Sequence, residues 1–230
     1  MNYLDTGNIT DGCIASIQRI DSGEKLPVRA RRKIQKGDIV YSTVRPVQRH
    51  YGLISSPVNN MLVSTGFVVI RGNSKKCNTK FLYYFLTQKS VVEKLQTIAE
   101  NSTSAYPSIR PSDIESLDIT LPSLPEQRAI AHILGSLDDK IELNRRMNET
   151  LEAMAHTLFK SWFIDFDPVI DNALAAGNTI PEELQLRAAM RESLGDSRKP
   201  LPEDVRVLFP DEFTFTDGMG WIPKGWDIKS

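Results

Sequence analysis

Basic and hydrogen-bonding side chains are concentrated in two segments of the first half of the sequence. The first segment contains Arg31, Arg32, Lys33, Arg45, Arg49, His50 and Tyr51. The second segment is the loop 101–111, which contains Ser102, Thr103, Ser104, Tyr106 and Arg110. Cationic side chains bind phosphates, while arginine forks, amides and hydroxyls hydrogen-bond to base edges. These residues are therefore candidates for contact with nucleic acid, and a solvated surface loop is the simpler alternative for the second segment.

Formal charge divides the sequence into a basic half and an acidic half. Residues 1–123 hold 16 Lys and Arg against 10 Asp and Glu, a net charge of +6. Residues 124–230 hold 12 against 19, a net charge of −7. A basic half favours contact with a polyanion, and an acidic half favours contact with protein or solvent. On composition alone, an uneven scatter of charges explains the difference equally well.

Residue types that support catalysis form no recognisable motif in the sequence. Neither GxGxxG nor GxxxxGK[ST] occurs, so no glycine-rich phosphate site is indicated. The three histidines are isolated from one another, which argues against a metal site. Asp113 and Glu115 resemble the acidic pair of a metal-dependent nuclease, but Leu117 stands where the expected lysine would follow.

The cysteines and the N-terminal residues bear on the cellular compartment. Cys13 and Cys77 lie far apart without a CxxC pair, so neither a disulfide framework nor a zinc ribbon is indicated. The first residues lack the basic and apolar regions of a signal peptide, and no run of about 18 apolar residues occurs. We therefore expect a cytoplasmic protein that does not enter a membrane.

Short strands and short helices are predicted for residues 1–122. Segments 38–44 and 66–71 have the composition of strands and end at turn residues. Apolar positions in 78–100 fall at helical spacing, which predicts two short helices. A helical turn and then a closing strand are predicted over 114–121. The expected fold class is α+β, with a long coiled-coil-forming α-helix after this domain.

A long helix is predicted to begin at residue 123. Ser123 and Glu126 have the spacing of a capping box, with Pro125 in the first turn. No proline follows until Pro168, so the helix can span 123–166, about 60 Å at 1.5 Å per residue. This length favours a partner helix. An ordinary amphipathic helix on its own domain and a kink at Gly135 are the alternatives.

Apolar residues recur along this helix in steps of three and four, which is the coiled-coil spacing. The predicted seam consists of Ile130, Leu134, Leu137, Ile141, Asn144, Asn148, Leu151, Ala155, Leu158 and Trp162. Two asparagines in the middle of a seam weaken the pairing but fix its register, because a shifted register buries unpaired amides.

The composition changes again after the long helix. Residues 167–218 form an acidic connector, in which a short helix is predicted between Pro181 and Gly195. Residues 219–230 are rich in aromatic and turn residues, including Trp221 and Trp226. This last segment is predicted to begin a second domain.

Several of these segments resemble one known family. Residues 121–169, LPSLPEQRAIAHILGSLDDKIELNRRMNETLEAMAHTLFKSWFIDFDPV, resemble the conserved helical region of specificity subunits of type I restriction-modification systems. KGDIVYSTVRP, GFVVIRG, FLYYFL and SIRPSDIESLDITLP resemble the later two-thirds of a target recognition domain from that family. GMGWIPKGW resembles the start of the next such domain. The resemblance touches most of the chain.

The resemblance implies a non-catalytic subunit that gives a type I restriction-modification complex its DNA sequence specificity. In this family, two recognition domains each read half of a bipartite site, and two antiparallel long helices set the spacing between the halves. The implied partners are double-stranded DNA, the adenine methyltransferase subunit and the restriction subunit. Pairing with a second copy of the chain through the long helix is a separate possibility. S-adenosylmethionine, ATP and Mg are expected on partner subunits, and no cofactor is expected in this chain.

The sequence departs from the family pattern at both ends. It lacks the segment that usually opens the first recognition domain, and it stops just after the second domain begins. We therefore expect an incomplete first domain in a fragment, a split-gene product, or a half-subunit that pairs with a second copy. The alternative function is a truncated helical assembly module that binds the methyltransferase without reading DNA.

Overall fold

A computed structural model describes residues 1–102, 106–195 and 201–226 of the chain. Short strands and short helices are followed by one long helix, so the predicted α+β class is confirmed. The chain divides into two units, residues 1–140 and 141–230, and the boundary between them falls within the long helix.

The strands of the first unit form two main sheets and one small hairpin. They are β1 (Asn2–Leu4), β2 (Ile9–Thr10), β3 (Cys13–Ile14), β4 (Gln18–Arg19), β5 (Ala30–Lys33), β6 (Ile39–Ser42), β7 (Tyr51–Leu53), β8 (Met61–Ser64) and β9 (Phe67–Ile70). One sheet has the order β4-β1-β8-β5, the other has the order β7-β6-β9, and β2 pairs with β3. The two predicted strands are present as β6 and β9, which are antiparallel neighbours.

Three short helices cover the sheet that contains β6. They are α1 (Thr79–Leu86), α2 (Lys89–Glu100) and α3 (Pro111–Glu115). Asn78 caps α1 by accepting a hydrogen bond from the Phe81 amide at 3.0 Å. Helix α2 buries Val91, Leu95 and Ala99, which lie on one face, against Tyr41 and other residues of the sheet.

The closing strand predicted within 114–121 is wrong. Residues 117–123 are irregular, and the nearest strand-like contact is an isolated bridge between Val44 and Ser108. Leu117 packs against the core, but Leu121 is exposed and no described strand pairs with residues 117–121, so no sheet edge holds this segment.

The long helix begins where the capping pattern predicts. Helix α4 (Leu124–Phe159) has 36 residues and continues directly into a π-helix, Lys160–Ile164. The Glu126 carboxylate accepts from the Ser123 amide at 2.9 Å and from the Ser123 hydroxyl at 2.7 Å. These hydrogen bonds lower the pKa of Glu126 below its usual value. One half of the predicted capping box is therefore formed, and the serine hydroxyl binds the carboxylate instead of a backbone amide.

Gly135 does not interrupt the long helix, which remains α-helical through this position. It is buried where α1 crosses α4, and an added Cβ would lie 2.2 Å from Lys80 Nζ. The glycine therefore allows the Lys80 side chain of α1 to lie directly on the surface of α4.

The second unit contains the rest of α4 and a set of smaller elements. These are α5 (Asp167–Ala176), α6 (Glu182–Ser193), α7 (Glu203–Arg206) and the hairpin β10 (Phe213–Thr216) and β11 (Gly220–Pro223). The short helix predicted between Pro181 and Gly195 is present as α6. Residues 227–230, at the end of the predicted second domain, lie outside the described residues.

An ionic network joins α5 and α6 in the second unit. Asp167 accepts two hydrogen bonds from Arg187, each 2.7 Å long, and one from the Ser161 hydroxyl at 2.6 Å. Arg191 pairs with Asp171 and lies 3.7 Å from the Asp167 carboxylate. Burial alone would raise the pKa of Asp167, but these hydrogen bonds and the charge of Arg191 lower it below its usual value.

Candidate nucleic-acid interface

The turn between β6 and β7 brings the two candidate segments of the first unit together. The Arg45 amide donates to the Pro107 carbonyl at 3.0 Å, and the Ile109 amide donates to the Thr43 carbonyl at 2.8 Å. The turn 45–49 therefore lies beside the segment 106–110, although the two are far apart in the sequence.

The second candidate segment presents exposed side chains near this turn. Tyr106 is 61% exposed, and Arg110 is exposed at the start of α3. The Arg110 amide donates to Asp113 at 2.6 Å, so this carboxylate caps α3. Ser102 is half-buried beside the end of α2, whereas Thr103 and Ser104 lie outside the described residues.

The side chains of Arg49 and Tyr51 both contact Asp11, although Arg49 stays exposed and Tyr51 is buried. The Arg49 guanidinium lies 2.6 Å from the Asp11 carboxylate and donates to the Tyr51 hydroxyl at 3.0 Å. Tyr51 is 1% exposed, its ring stacks on Tyr41, and its hydroxyl donates to Asp11 at 3.1 Å. Burial raises the pKa of Tyr51. A buried ring cannot touch a base, so Tyr51 supports the site from beneath and is not a contact residue.

His50 is also held by its own domain. Its Nδ1 lies 2.7 Å from the Ile9 carbonyl and 3.2 Å from the Thr10 hydroxyl. Because a carbonyl only accepts, this contact assigns the proton to Nδ1. His50 thereby ties the start of β7 to β2.

The basic residues 31–33 lie on a different sheet from this turn. Arg31, Arg32 and Lys33 belong to β5, the edge strand that pairs with β8, and the register shifts near Arg31. Arg31 Nε donates to the Val28 carbonyl at 2.8 Å, whereas Lys33 is exposed. The residues predicted to bind nucleic acid therefore form two groups, one at the β6–β7 turn and one along β5.

The joint between the first unit and its part of the long helix depends on Gln127, which the sequence patterns did not single out. Gln127 is 1% exposed, and its amide donates to the Pro122 carbonyl at 2.8 Å and to the Lys76 carbonyl at 3.3 Å. Its side-chain oxygen accepts from the Asn78 amide at 2.8 Å. A polar glutamine in the first turn of a helix gives no sequence signal of burial, and its buried position follows from its contacts with residues 76, 78 and 122.

The predicted seam of α4 is largely exposed to solvent. Ile130, Leu137, Ile141, Leu151 and Leu158 have 37% to 55% of their surface exposed. Asn144, Asn148 and Ala155 are exposed, and Leu134 is half-buried. The buried residues Gln127, Ala131 and Gly135 are centred about 90° around the helix from Ile130, Leu134 and Leu137 at 3.6 residues per turn. The stripe is thus separate from the face that α4 uses within the first unit, and its pairing stays a prediction.

Trp162 differs from the other seam residues. Its ring packs edge-on against Phe209 with centroids 5.5 Å apart, and it also contacts Phe163. Trp226 packs against Phe163 and Phe166 in the same unit. Trp162 therefore belongs to the aromatic cluster of the second unit, because the π-helix turns this part of the chain away from the regular seam spacing.

Residues 1–102, 106–195 and 201–226 contain no group of three His, Cys, Asp or Glu side chains that could hold a metal ion. They also contain no helix long and apolar enough to cross a membrane. A cavity of about 380 Å³ in the first unit is lined by Lys36, Lys80 and Arg128 among others.

Comparison with known proteins gives the family. Residues 12–153 match the family model described as "Type I restriction modification DNA specificity domain". The chain therefore belongs to this family of DNA specificity domains, as its resemblance predicted.

Individual relatives agree with the family match. The chain is 33% identical to the type I restriction enzyme HindI specificity subunit of Haemophilus influenzae, covering 99% of this chain and 53% of that protein. It is 31% identical to the MjaIX specificity subunit of Methanocaldococcus jannaschii, covering 66% and 34% of the two chains. The chain thus spans about half the length of the first relative and a third of the second.

Solved structures with the same fold also belong to this class. The HsdS subunit from Thermoanaerobacter tengcongensis superposes with a TM-score of 0.53 at 28% identity, over 70% of this chain and 41% of that chain. A chain from a structure titled for complex assembly and conformational transition of the type I R-M system gives a TM-score of 0.50 at 26% identity, over 79% and 45%.

Proposed function

We propose that this chain supplies DNA sequence specificity to a type I restriction-modification complex. In this proposal the first unit reads one half of a bipartite target in the major groove, and the long helix docks the adenine methyltransferase and restriction subunits. The observation that carries it is the match of residues 12–153 to a DNA specificity domain. The β6–β7 turn is hydrogen-bonded to Pro107, and Tyr106 and Arg110 are exposed beside it. These features support a DNA-reading surface in the first unit.

The chemistry of the complex is assigned to its other subunits. The proposed roles leave methyl transfer to the methyltransferase with S-adenosylmethionine, and translocation and cleavage to the restriction subunit with ATP and Mg. This chain then acts without catalysis in the cytoplasm, where the DNA and these partners are found. The scattered histidines and the Asp113 carboxylate that caps α3 are in keeping with a binding role.

A second copy of this chain is the proposed partner of the exposed stripe. The seam is symmetric about residue 146, so an antiparallel pair would set Asn144 of one copy opposite Asn148 of the other. The same register sets Ile141 opposite Leu151. Facing asparagines satisfy each other's amide groups only in this register, which favours a defined antiparallel pair.

A competition gel shift tests the reading of DNA. The full chain, mixed with the methyltransferase subunit, is incubated with a labelled duplex pool and with unlabelled duplexes of different sequence. Sequence reading predicts that one class of duplex competes at least about 10³-fold better than the rest. Equal competition by all sequences would falsify the reading function.

A helical assembly module without DNA reading is the second candidate. It is favoured by the burial of Tyr51 and by the ion pair of Arg49 with Asp11, which compete with two of the predicted DNA contacts. Under this alternative, Arg45→Ala and Arg110→Ala leave DNA affinity of the complex unchanged while a pull-down still retains the methyltransferase. Under the proposed function, the same variants keep the methyltransferase and weaken DNA binding.

A further inference from the structure

The backbone of the β6–β7 turn is held in an unusual conformation. Arg45 and Arg49 both have left-handed backbone angles, with φ of 47° and 59°, and they flank the short turn Pro46–Gln48. Residues with a Cβ rarely adopt this region, and each instance costs on the order of 1 kcal/mol unless the surroundings hold it. Two such residues within five positions indicate a turn whose shape is imposed by its surroundings.

Several hydrogen bonds impose this shape. The Arg45 amide is bound to the Pro107 carbonyl at 3.0 Å, and the Val47 amide is bound to the Gln96 side chain of α2 at 3.3 Å. The Arg49 amide is bound to the Pro46 carbonyl at 2.9 Å, and Pro46 itself is buried. The turn is therefore anchored to α2, to the segment at residue 107 and to the sheet below it.

Four side chains of this anchored turn are exposed. They are Arg45, Val47, Gln48 and Arg49, and Val47 is 50% exposed. In the described part of the chain, the side chains of Arg45 and Gln48 have no hydrogen-bond or ion-pair partner. Arg49 differs from them, because its guanidinium forms an ion pair with Asp11. A rigid backbone thus holds two uncommitted polar groups around one exposed aliphatic group.

The hydrogen-bonding and apolar groups of these side chains complement the major-groove edge of an A·T base pair. A glutamine amide donates to N7 and accepts from the amino group N6 of adenine, and an aliphatic side chain packs on the thymine methyl group. The turn connects the antiparallel strands β6 and β7, in which Tyr41 is opposite Tyr51, and β9 pairs with the other side of β6. A short exposed turn can present its side chains to base edges in the major groove, which is about 12 Å wide. Base reading also requires a fixed backbone, which the anchoring supplies.

We propose that Gln48 is a specificity-determining residue that reads an adenine in the major groove, with Val47 against the methyl group of the paired thymine. This inference rests on the proposed DNA-reading function and names the residue and the base that it reads. Arg45 lies beside them and binds a neighbouring phosphate or guanine in the same groove.

The test measures base preference with the full chain in complex with the methyltransferase subunit. Duplexes carrying each of the four base pairs at every position of the preferred half-site compete for binding. We compare the unaltered chain with Gln48→Ala, Gln48→Glu and the control Gln18→Ala, which changes an exposed glutamine on β4. Circular dichroism and thermal melting establish that all four chains are equally folded.

The expected result is specific to one position of the half-site. Gln48→Ala should lower the preference for A·T there by roughly 10- to 100-fold, because a bidentate pair and its discrimination are lost. Gln48→Glu should shift the preference toward C·G, since a carboxylate accepts from the cytosine amino group. Gln18→Ala should match the unaltered chain.

Two contrary results are distinguishable. If the unaltered complex prefers no sequence, both the proposed function and this inference are wrong. If it prefers a sequence and both Gln48 variants keep the same preference at every position, the reading function stands and the role of Gln48 is overturned.

Discussion

Gln127 is a buried amide whose hydrogen bonds all go to backbone groups. Three such bonds connect the first turn of α4 to the chain around residues 76–78 and to Pro122. A buried polar group is favourable only while its partners are in place, because an unpaired partner loses its hydration without compensation. The residue therefore fixes the first turn of α4 to the rest of the first unit.

Gln127→Leu should destabilise the first unit. The substitution leaves two carbonyls and one amide without partners, so the free energy of unfolding should fall by about 2–4 kcal/mol. Hydrogen exchange at the amides of β6 measures this unit alone. Arg128→Leu, a change at the next and exposed position, is the control and should alter exchange little. Equal protection in both variants would show that the bonds contribute nothing.

The ionised Asp167 carboxylate stabilises the second unit, so the free energy of unfolding of this unit should fall at acid pH. Its pKa is lowered in the folded chain, so its contribution is present above the unfolded value of 3.8 and is lost as pH falls through the folded value. We expect Asp167→Asn to destabilise the unit by about 1–3 kcal/mol at neutral pH and to flatten the decline below about pH 4.

Tryptophan fluorescence measures this effect directly. All three tryptophans, Trp162, Trp221 and Trp226, belong to the second unit. Urea titrations at several pH values give the free energy of unfolding of the variant and of the control Asp217→Asn, an exposed change. A variant with the same pH dependence as the unaltered chain contradicts the role of Asp167.

Residue types indicated candidate contacts, but they did not reveal which of them were already occupied. Arg45 and Arg49 looked equivalent in the sequence, yet only Arg49 meets Asp11, which is 38 positions earlier in the chain. Such pairings depend on how β2, β3 and β7 are brought together, and no local pattern specifies that. The burial of Tyr51 was unpredictable for the same reason, since it depends on packing against residues such as Tyr41 and Tyr83.

At the scale of elements, the long helix was the most predictable part of the chain. Its start follows from the local chemistry of Ser123, Pro125 and Glu126, and its length follows from the absence of breaking residues. The short strands were harder to predict because many have only two to four residues, and pairing to distant strands decides their existence. The segment after α3 was predicted as a strand, but no sheet edge holds it.

Ile141→Pro should abolish assembly through the helix. Proline removes a backbone hydrogen bond and clashes with the preceding turn, costing about 3 kcal/mol or more within a helix. Light scattering and a methyltransferase pull-down measure the loss of assembly. Ile141→Ala keeps the backbone and removes only apolar surface, so it should weaken assembly much less. Undiminished assembly of the proline variant contradicts pairing through α4.

Asn144→Leu with Asn148→Leu should tighten the association of helices and loosen its register. Apolar side chains at these positions bury more surface, while the amide pairing that excludes shifted registers is lost. Sedimentation at several concentrations measures the tighter association, and methylation mapping measures any new spacing between half-sites. An exposed change outside the seam, Arg145→Leu, is the comparison. Weaker association of the double variant would contradict the seam assignment.

At the scale of the whole molecule, the uneven charge is consistent with two kinds of partner. The net charge of +6 over residues 1–123 and −7 over residues 124–230 separates a region suited to DNA from a region suited to protein. The sequence predicted the family and the fold class, because long seams and family motifs extend over many residues. It did not predict the arrangement of the site, because that arrangement depends on contacts between distant residues such as Arg45 and Pro107.

Genomic methylation should reveal the assembly state. If two copies pair through antiparallel helices, cells with this chain and its methyltransferase should methylate a symmetric, interrupted motif whose halves are inverted repeats. Sequencing that detects methyladenine, with and without this chain, gives the motif. An asymmetric motif would mean that a different chain supplies the second half-site and would contradict self-pairing.

The hydrogen bonds of Gln127 also affect which mutations the joint can tolerate. Its partners at residues 76, 78 and 122 are main-chain groups, so the bonds do not depend on the side chains at those positions. Substitutions there can accumulate without loosening the long helix, provided that the backbone path is kept. Under the proposed function, such a joint lets the surface of the first unit change its DNA preference over evolutionary time while the attachment to the start of α4 stays the same.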